Sequence, residues 1–282
     1  MLDADFTIHL NQSFSFSIKQ ASPLSGGDIN AVFLLTTDQG NFVIKINDAQ
    51  RFPEMFSLEK LGLESLAQSK SFITPKVLGV GTFKSKSYLL LEHIESGKPS
   101  VDFDEIFANN LAKMHQTTSA FGFQKDNYIG SLPQYNTEEA SAADFYIKQR
   151  LMPQFKMAAD RGYTFEDVDL LYKSIPDLIP DEPAALIHGD LWGGNFMVNS
   201  DGNPVLIDPA TCYAPREMDL AMMRLFGGFN ENIFITYHEV FPLCEGWKAR
   251  IKLWQLYYIL VHVNLFGAHY YNTANSILKT YL

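Results

Sequence analysis

The stretch Leu186-Ile187-His188-Gly189-Asp190-Leu191-Trp192-Gly193-Gly194-Asn195, followed by Val205-Leu206-Ile207-Asp208-Pro209, decides how this chain is read. Asp190 and Asn195 stand five apart across a glycine-bearing segment, and Asp208 follows 208 − 190 = 18 residues after Asp190. The apolar runs 184–187, 196–198 and 205–207 read as short buried strands. Asp201-Gly202-Asn203-Pro204, between the last two, is a turn signal. The expected local structure is strand, loop, hairpin, with Asp190 and Asn195 on the loop and Asp208 at the hairpin's exit. Phosphoryl transfer needs such a group: one carboxylate to align the attacking hydroxyl, and an amide oxygen plus a second carboxylate to hold Mg²⁺ against nucleotide phosphates. His-Gly-Asp alone would equally suit an ordinary turn, because Asp side chains cap turn backbone. The full spaced set in its strand context favours the phosphotransfer site.

Asp, four residues, Asn, a strand and then Asp is the order of the protein-kinase catalytic loop and its metal-binding Asp. In that reading Asp190 is the catalytic residue, and Asn195 and Asp208 hold Mg²⁺. His188 shapes the loop. Zinc or iron on His188, Asp190 and Asp208 is the competing reading, but softer metals want a further His or Cys nearby, and none is spaced for it. Gly189 stands where protein kinases carry Arg, and 216 − 208 = 8 residues separate Asp208 from Glu217. Both facts point away from a phosphorylation-switched, peptide-docking segment and towards a small-molecule acceptor.

Upstream, Phe42-Val43-Ile44-Lys45 reads as the strand whose Lys contacts the α/β phosphates, although an edge-strand lysine facing water is the plain alternative. Glu59, fourteen residues on in a helical pattern, is its expected partner, with Glu54 and Glu64 as rivals. Ser25-Gly26-Gly27-Asp28 would be the phosphate loop, Gly26 and Gly27 allowing backbone N–H groups close to phosphate. Glu92-His93-Ile94 follows an apolar strand as a connector, with Glu92 and Ile94 on the nucleotide side.

Residues 1–95 read as mostly β: strands at 14–18, 31–36, 42–46, 77–80 and 88–91, with one helix over 55–67. Residues 96–282 read as mostly helical, opening with an Asp102/Glu105 capping box and continuing with helices over 140–159, 216–240 and 247–281. The expected fold is α+β and kinase-like: a nucleotide-binding lobe over 1–95, a catalytic and substrate-binding lobe over 96–282, and a cleft between them. A net charge of −10 argues against a nucleic-acid partner. No apolar stretch approaches 18 residues, so no membrane span is expected. The start of the chain lacks a basic region and a long apolar core, so no secretory signal is expected. Two cysteines, Cys212 and Cys244, make no disulfide framework. A monomer in the cytoplasm is the default.

The loop, together with Ile207-Asp208-Pro209-Ala210, Arg216-Glu217-Met218-Asp219-Leu220-Ala221, Leu225-Phe226-Gly227-Gly228-Phe229, Tyr237 and the 255–267 stretch, resembles the fructosamine-3-kinase (ketosamine-3-kinase) family, within the wider aminoglycoside phosphotransferase-like group. Leu24-Ser25-Gly26-Gly27-Asp28-Ile29-Asn30 and Phe42–Lys45 resemble it too, so the likeness spans essentially the whole chain. It implies ATP and Mg²⁺, and phosphate transfer to the sugar O3 of a fructosamine or ribulosamine. The 3-phosphate then eliminates and frees the amine, which is deglycation. It also implies that Trp192 offers a face to the sugar, that Glu217 or Asp219 meets the substrate amine or buttresses the loop, and that His262 reaches the cleft. Core packing is the competing reading for Trp192 and His262. A phosphotransferase for an aminoglycoside or choline, and a pseudokinase binding module, are the alternatives at the level of function. Lys45, Asp190, Asn195 and Asp208 are all present, which disfavours the second.

Overall fold

The computed structural model describes residues 2–24 and 29–282. The expected phosphate loop with Gly26 and Gly27 lies outside the described residues. The first helix, α1 (Ala4–Phe14), ends where the strand expected over 14–18 would start; the first strand begins only at Ile18. Asp3 caps α1, its Oδ1 accepting from Phe6 N at 2.8 Å, which satisfies an otherwise unpaired N-terminal amide. Phe6 and Leu10, four apart, form its buried face. Phe14 then stacks on Phe16 at 5.7 Å, across Ser15 at φ +55°. The alternation of Phe14, Phe16 and Ile18 is therefore a helix end, a turn and the first residue of the following strand.

Strands β1 (Ile18–Pro23), β2 (Ala31–Thr37) and β3 (Gly40–Asp48) precede helix α2 (Met55–Gln68), and β4 (Val77–Phe83) and β5 (Lys86–Glu92) follow it. They make one antiparallel sheet in the order β1-β2-β3-β5-β4. Successive strand side chains point to opposite faces. Ile44 and Ile46 of β3 and Tyr88 and Leu90 of β5 pack with Phe6 and Leu10 of α1. Val43, Leu89 and Leu91 pack with Phe56 and Leu63 of α2. Each face of the sheet is thus covered by one helix, and the same alternation puts Lys45 on the α2 side.

Helix α3 (Phe103–His115) begins the helical region. The expected capping box does not form: Asp102 sits at φ −99°, ψ 16° and its side chain caps no amide, whereas a cap needs extended backbone. Next come β6 (Thr118–Ser119) and a hairpin of β7 (Asn127–Ile129) and β8 (Leu132–Gln134). The helix expected over 140–159 is three pieces: α4 (Ala142–Phe145), a π-helical segment (Tyr146–Leu151) and α5 (Met152–Asp160). Then follow α6 (Val168–Leu178), β9 (Ala184–Ile187), β10 (Phe196–Val198), β11 (Pro204–Leu206), β12 (Cys212–Ala214), α7 (Glu217–Phe226), α8 (Glu231–Val240), α9 (Trp247–Phe266) and α10 (Ala268–Thr280). β10 and β11 pair as the expected hairpin, and β12 returns to pair with β9. Leu253, Trp254, Leu256, Tyr257, Leu260 and Val261 are all buried, so α9 runs through the core from Leu253 onward, while Lys248 and Lys252 near its start are exposed.

The beginning of α7 corrects one expectation. Glu217 is buried, and its carboxylate takes Arg250 Nη2 at 2.6 Å, Arg250 Nε at 2.9 Å and Trp254 Nε1 at 2.7 Å. These bonds tie α7 to α9 and leave no free oxygen for a substrate amine. At the other end of α7, Gly228 (φ +93°) lies against Gly193, and a Cβ on Gly228 would sit 2.8 Å from Gly193 Cα. The Phe-Gly-Gly-Phe segment and the loop after Asp190 touch backbone to backbone.

Two outcomes are expected. Glu217→Ala leaves Arg250 buried without its partner and costs about 3–5 kcal/mol, read as a fall in urea midpoint. A wild-type midpoint would show that the pair does not hold α7 on α9. Gly228→Ala forces a side chain into left-handed backbone at a cost of roughly 1–3 kcal/mol and displaces the Gly193 loop. A variant of undiminished stability and turnover would show that the close approach is dispensable.

Candidate active site

Strand β9 delivers the chain into the loop at His188, and β12 pairs back on β9, with Cys212 opposite Ile187. That register brings the segment after Asp208 alongside the start of the loop, where Ala210 N donates to His188 O at 2.9 Å. Gly189 (φ +83°) must be glycine here, since a Cβ would collide with the Ala210 carbonyl oxygen. This is a local reason for Gly where protein kinases carry Arg.

Asp219 of α7 holds the loop from beneath. It is fully buried and accepts His188 N at 2.8 Å and Gly189 N at 2.9 Å. His115 of α3 approaches the same carboxylate at 3.3 Å. Of the two roles weighed for Asp219, the structure shows the buttress. His188 closes the loop from the other side: Nε2 donates to Ile207 O at 2.9 Å, and Nδ1 accepts from Asp190 N at 3.3 Å. Burial lowers its pKa, so the ring is neutral and shapes the loop.

Asp190 opens onto the cleft, and Asn195 Nδ2 reaches its Oδ2 at 3.0 Å and its backbone O at 2.8 Å. Burial raises the Asp190 pKa to about 7; the Asn195 bond opposes this, and the charges of Asp208 and Asp219 add to it. Among the described residues Asn195 Oδ1 accepts no hydrogen bond. Asp208 sits at φ +55°, a left-handed conformation that Asp tolerates. Lys45 bridges the two parts of the chain. Its Nζ lies 2.6 Å from Glu59 Oε1 and also binds Asp208. Burial works against the ammonium, but the two carboxylates outweigh it and hold Lys45 charged.

Lys45, Glu59, Asp190, Asn195 and Asp208 line one cavity of about 740 Å³, together with Trp192 and His262. Glu54 and Glu64 lie elsewhere: Glu54 binds Lys125 at 3.2 Å and Glu64 faces Lys60. Glu92 and Ile94 do not line this cavity. The Glu92 amide donates to Lys76 O at 2.9 Å, and its side chain accepts from Lys76 N at 3.2 Å. These bonds secure the strand edge through the Glu92 amide and side chain. Trp192 is 41% exposed at the cavity wall, over Gly194, and is no core tryptophan.

Sequence reasoning missed one wall. Tyr128, Gly130 and Ser131 of the β7–β8 hairpin line the cavity. Asn127 Nδ2 donates to Thr211 O and Gln134 Nε2 to Ala210 O, both at 2.9 Å, which clamps the hairpin to the segment after Asp208. The Tyr-Ile-Gly-Ser-Leu-Pro run is a glycine turn between apolar residues, a hairpin signal. Phe226, Phe266 and Tyr270 also line the cavity, from the ends of three helices.

The sequence profile described as fructosamine kinase matches residues 4–282. The Probable ketoamine kinase of Synechocystis sp. is 39% identical over 268 residues, covering 94% of this chain and 90% of that protein. The chloroplastic protein-ribulosamine 3-kinase of Arabidopsis thaliana is 34% identical over 283 residues, covering 97% and 86%. A Haemophilus somnus structure assigned as a fructosamine-3-kinase superposes with a TM-score of 0.89 at 28% identity, covering 98% of this chain and 96% of that one. A spectinomycin phosphotransferase, at 17% identity and a TM-score of 0.63, shares the fold. The fold is α+β and kinase-like, and a match along nearly its whole length shows that this chain belongs to the fructosamine kinase family.

Proposed function

We propose that this chain transfers the γ-phosphate of ATP to the O3 hydroxyl of a ketosamine, a fructosamine or ribulosamine adduct. The observation that carries the reading is the meeting of Lys45, Asp190, Asn195 and Asp208 in one cavity between the sheet and the helices. In this reading Lys45 turns from Asp208 to the phosphates, and Glu59 keeps its ammonium in place. Asp190 aligns the sugar hydroxyl and receives its proton late, because a loose transition state needs little base strength. C3 is α to the C2 carbonyl, so loss of a proton from C1 gives a 1,2-enaminol in which the C3 phosphate is allylic. Inorganic phosphate leaves, and water hydrolyses the resulting C1 imine to release the amine and a 3-deoxyosone. The relatives named ketoamine kinase and protein-ribulosamine 3-kinase support this choice of acceptor.

Asn195 and Asp208 suit Mg²⁺. They offer one amide and one carboxylate oxygen donor, and no group of three or more His, Cys, Asp or Glu that could hold a metal occurs among the described residues. Phosphate oxygens and water would complete such a shell. When bound, Mg²⁺ neutralises the phosphate charge. Trp192 and His262 form the sugar side of the proposed site. His262 Nδ1 donates to Tyr258 O at 2.8 Å, and burial lowers its pKa, so Nε2 is an unprotonated acceptor for a substrate hydroxyl or ammonium. The division into a nucleotide lobe over 1–95 and an acceptor lobe over 96–282 belongs to the same proposal. No helix among the described residues is long and apolar enough to cross a membrane. Two free cysteines suit a reducing compartment, and the cytoplasm is the proposed location.

Asp190→Ala should lower kcat by roughly 10²–10⁴-fold while ATP affinity, measured by calorimetry, stays within a few-fold. Full turnover in that variant sinks the assignment. In wild type, kcat/KM for the sugar should rise with pH along a limb whose midpoint lies at or below about pH 7, since the charged carboxylate is the working form and burial raises its pKa to about 7. Cation binding at Asp208 removes one raising charge and can only move that limb lower. A profile that falls between pH 6 and 8 contradicts this role. Side-by-side assays with a ketosamine, an aminoglycoside and choline test the acceptor; preference for either of the latter two rejects the ketosamine.

A further inference from the structure

Beyond Asp190 the cavity ends in an aromatic rim. Phe226 closes α7, His262 and Phe266 lie four apart on α9, and Tyr270 belongs to α10. The His262 ring centre is 4.7 Å from that of Phe226, 5.4 Å from Phe266 and 4.9 Å from Tyr270. Gly267 (φ +83°) turns the chain between α9 and α10 and brings Tyr270 back over His262. Phe226 is 38% and Phe266 56% exposed. Exposed aromatics clustered on the wall of a cavity that also holds the catalytic carboxylate mark a ligand surface.

The charges of that cavity are one-sided. Lys45 is the one Lys or Arg among its described lining residues, and Glu59 and Asp208 already hold it. Its acidic lining residues are Glu59, Asp190 and Asp208. His262 is neutral, its Nδ1 committed to Tyr258 O. The arginines on neighbouring elements are engaged elsewhere: Arg224 binds Glu231 at 2.8 Å, and Arg161 donates to the Asn264 carbonyl. An anionic substituent entering here loses water and finds no counter-ion. The net charge of −10 adds repulsion. An apolar or aromatic substituent gains by burial against the rings.

Resting on the ketosamine reading, we infer that the rim formed by Phe226, Phe266 and Tyr270 selects substrates by the group on the ketosamine nitrogen, accepting apolar or aromatic substituents free of carboxylate and rejecting α-amino-acid adducts, whose carboxylate stands beside the nitrogen. The site is built for adducts of simple amines, or of side-chain amines whose nearest carboxylate is remote.

Three synthetic ribulosamines test it, made from methylamine, phenethylamine and glycine. Expected values of kcat/KM run phenethylamine, methylamine, glycine, with at least about a tenfold step at each end. Phe266→Ser and Tyr270→Ser should reduce the phenethylamine-to-methylamine ratio. Phe266→Arg supplies the missing cation and should raise kcat/KM for the glycine adduct by roughly two- to fivefold, the range of an exposed ion pair. Phe266 is exposed, so an unchanged thermal transition shows that these variants fold. Glycine and phenethylamine adducts used equally well by wild type, or ratios unmoved in all three variants, would overturn the inference. Turnover of none of the three ribulosamines, nor of the three fructosamines made from the same amines, would overturn the ketosamine reading, and the inference with it.

Discussion

Two backbone amides on one buried carboxylate hold the site together. Asp219, on α7, takes the amides of His188 and Gly189. A carboxylate buried without such donors would cost several kcal/mol, so its burial and the loop conformation require each other. The loop departs from β9 in the direction those bonds impose. Asp190 then faces the cleft, and Asn195 folds back on it at 3.0 Å. Glu217, two residues earlier on the same helix, anchors α7 to α9 through Arg250 and Trp254. One turn of helix thereby connects the catalytic loop to the buried axis of the helical region.

The second constraint is electrostatic. Lys45 projects from the sheet, while Asp208 and Asp190 belong to the helical region. Without Lys45, the three acidic groups Glu59, Asp190 and Asp208 would share one cavity with no cation from Lys or Arg among the described lining residues. The ammonium reconciles two of them, and the third, Asp190, answers burial with a raised pKa. The aromatic end of the cavity carries no such cation. In the proposed reading this asymmetry separates the end for phosphates and a divalent ion from the end for a sugar and an apolar amine.

Much of this was legible from local patterns. The Asp190, Asn195 and Asp208 spacing, the β10–β11 hairpin and the Lys45–Glu59 pair all follow from short-range rules: a turn signal between apolar runs, alternation along a strand, a carboxylate early in a helix. Phe14, Phe16 and Ile18 misled because a helix end and a turn can imitate period two when the apolar spacing is short. Asp102 misled because the right residue for a cap does not by itself supply the extended backbone that capping needs. From Leu253 onward apolar residues lie all round α9, so the sequence reads as helix while saying nothing about which face meets the cleft.

Residue type and spacing along the chain were enough for the kinase-like α+β architecture and for the grouping of Lys45, Glu59, Asp190, Asn195 and Asp208 in one cavity, because a strand's alternation and a loop's length dictate where such groups go. Glu217 and Asp219 show where that reach ends. Two carboxylates two residues apart at the start of one helix became a clamp for α9 and a clamp for the loop at Asp190, because their partners Arg250, Trp254 and His188 come from distant segments. The β7–β8 hairpin and the Phe226, Phe266 and Tyr270 rim belong to the same class. They meet only because long-range packing folds separate helix ends over one cavity, and no local pattern encodes that meeting.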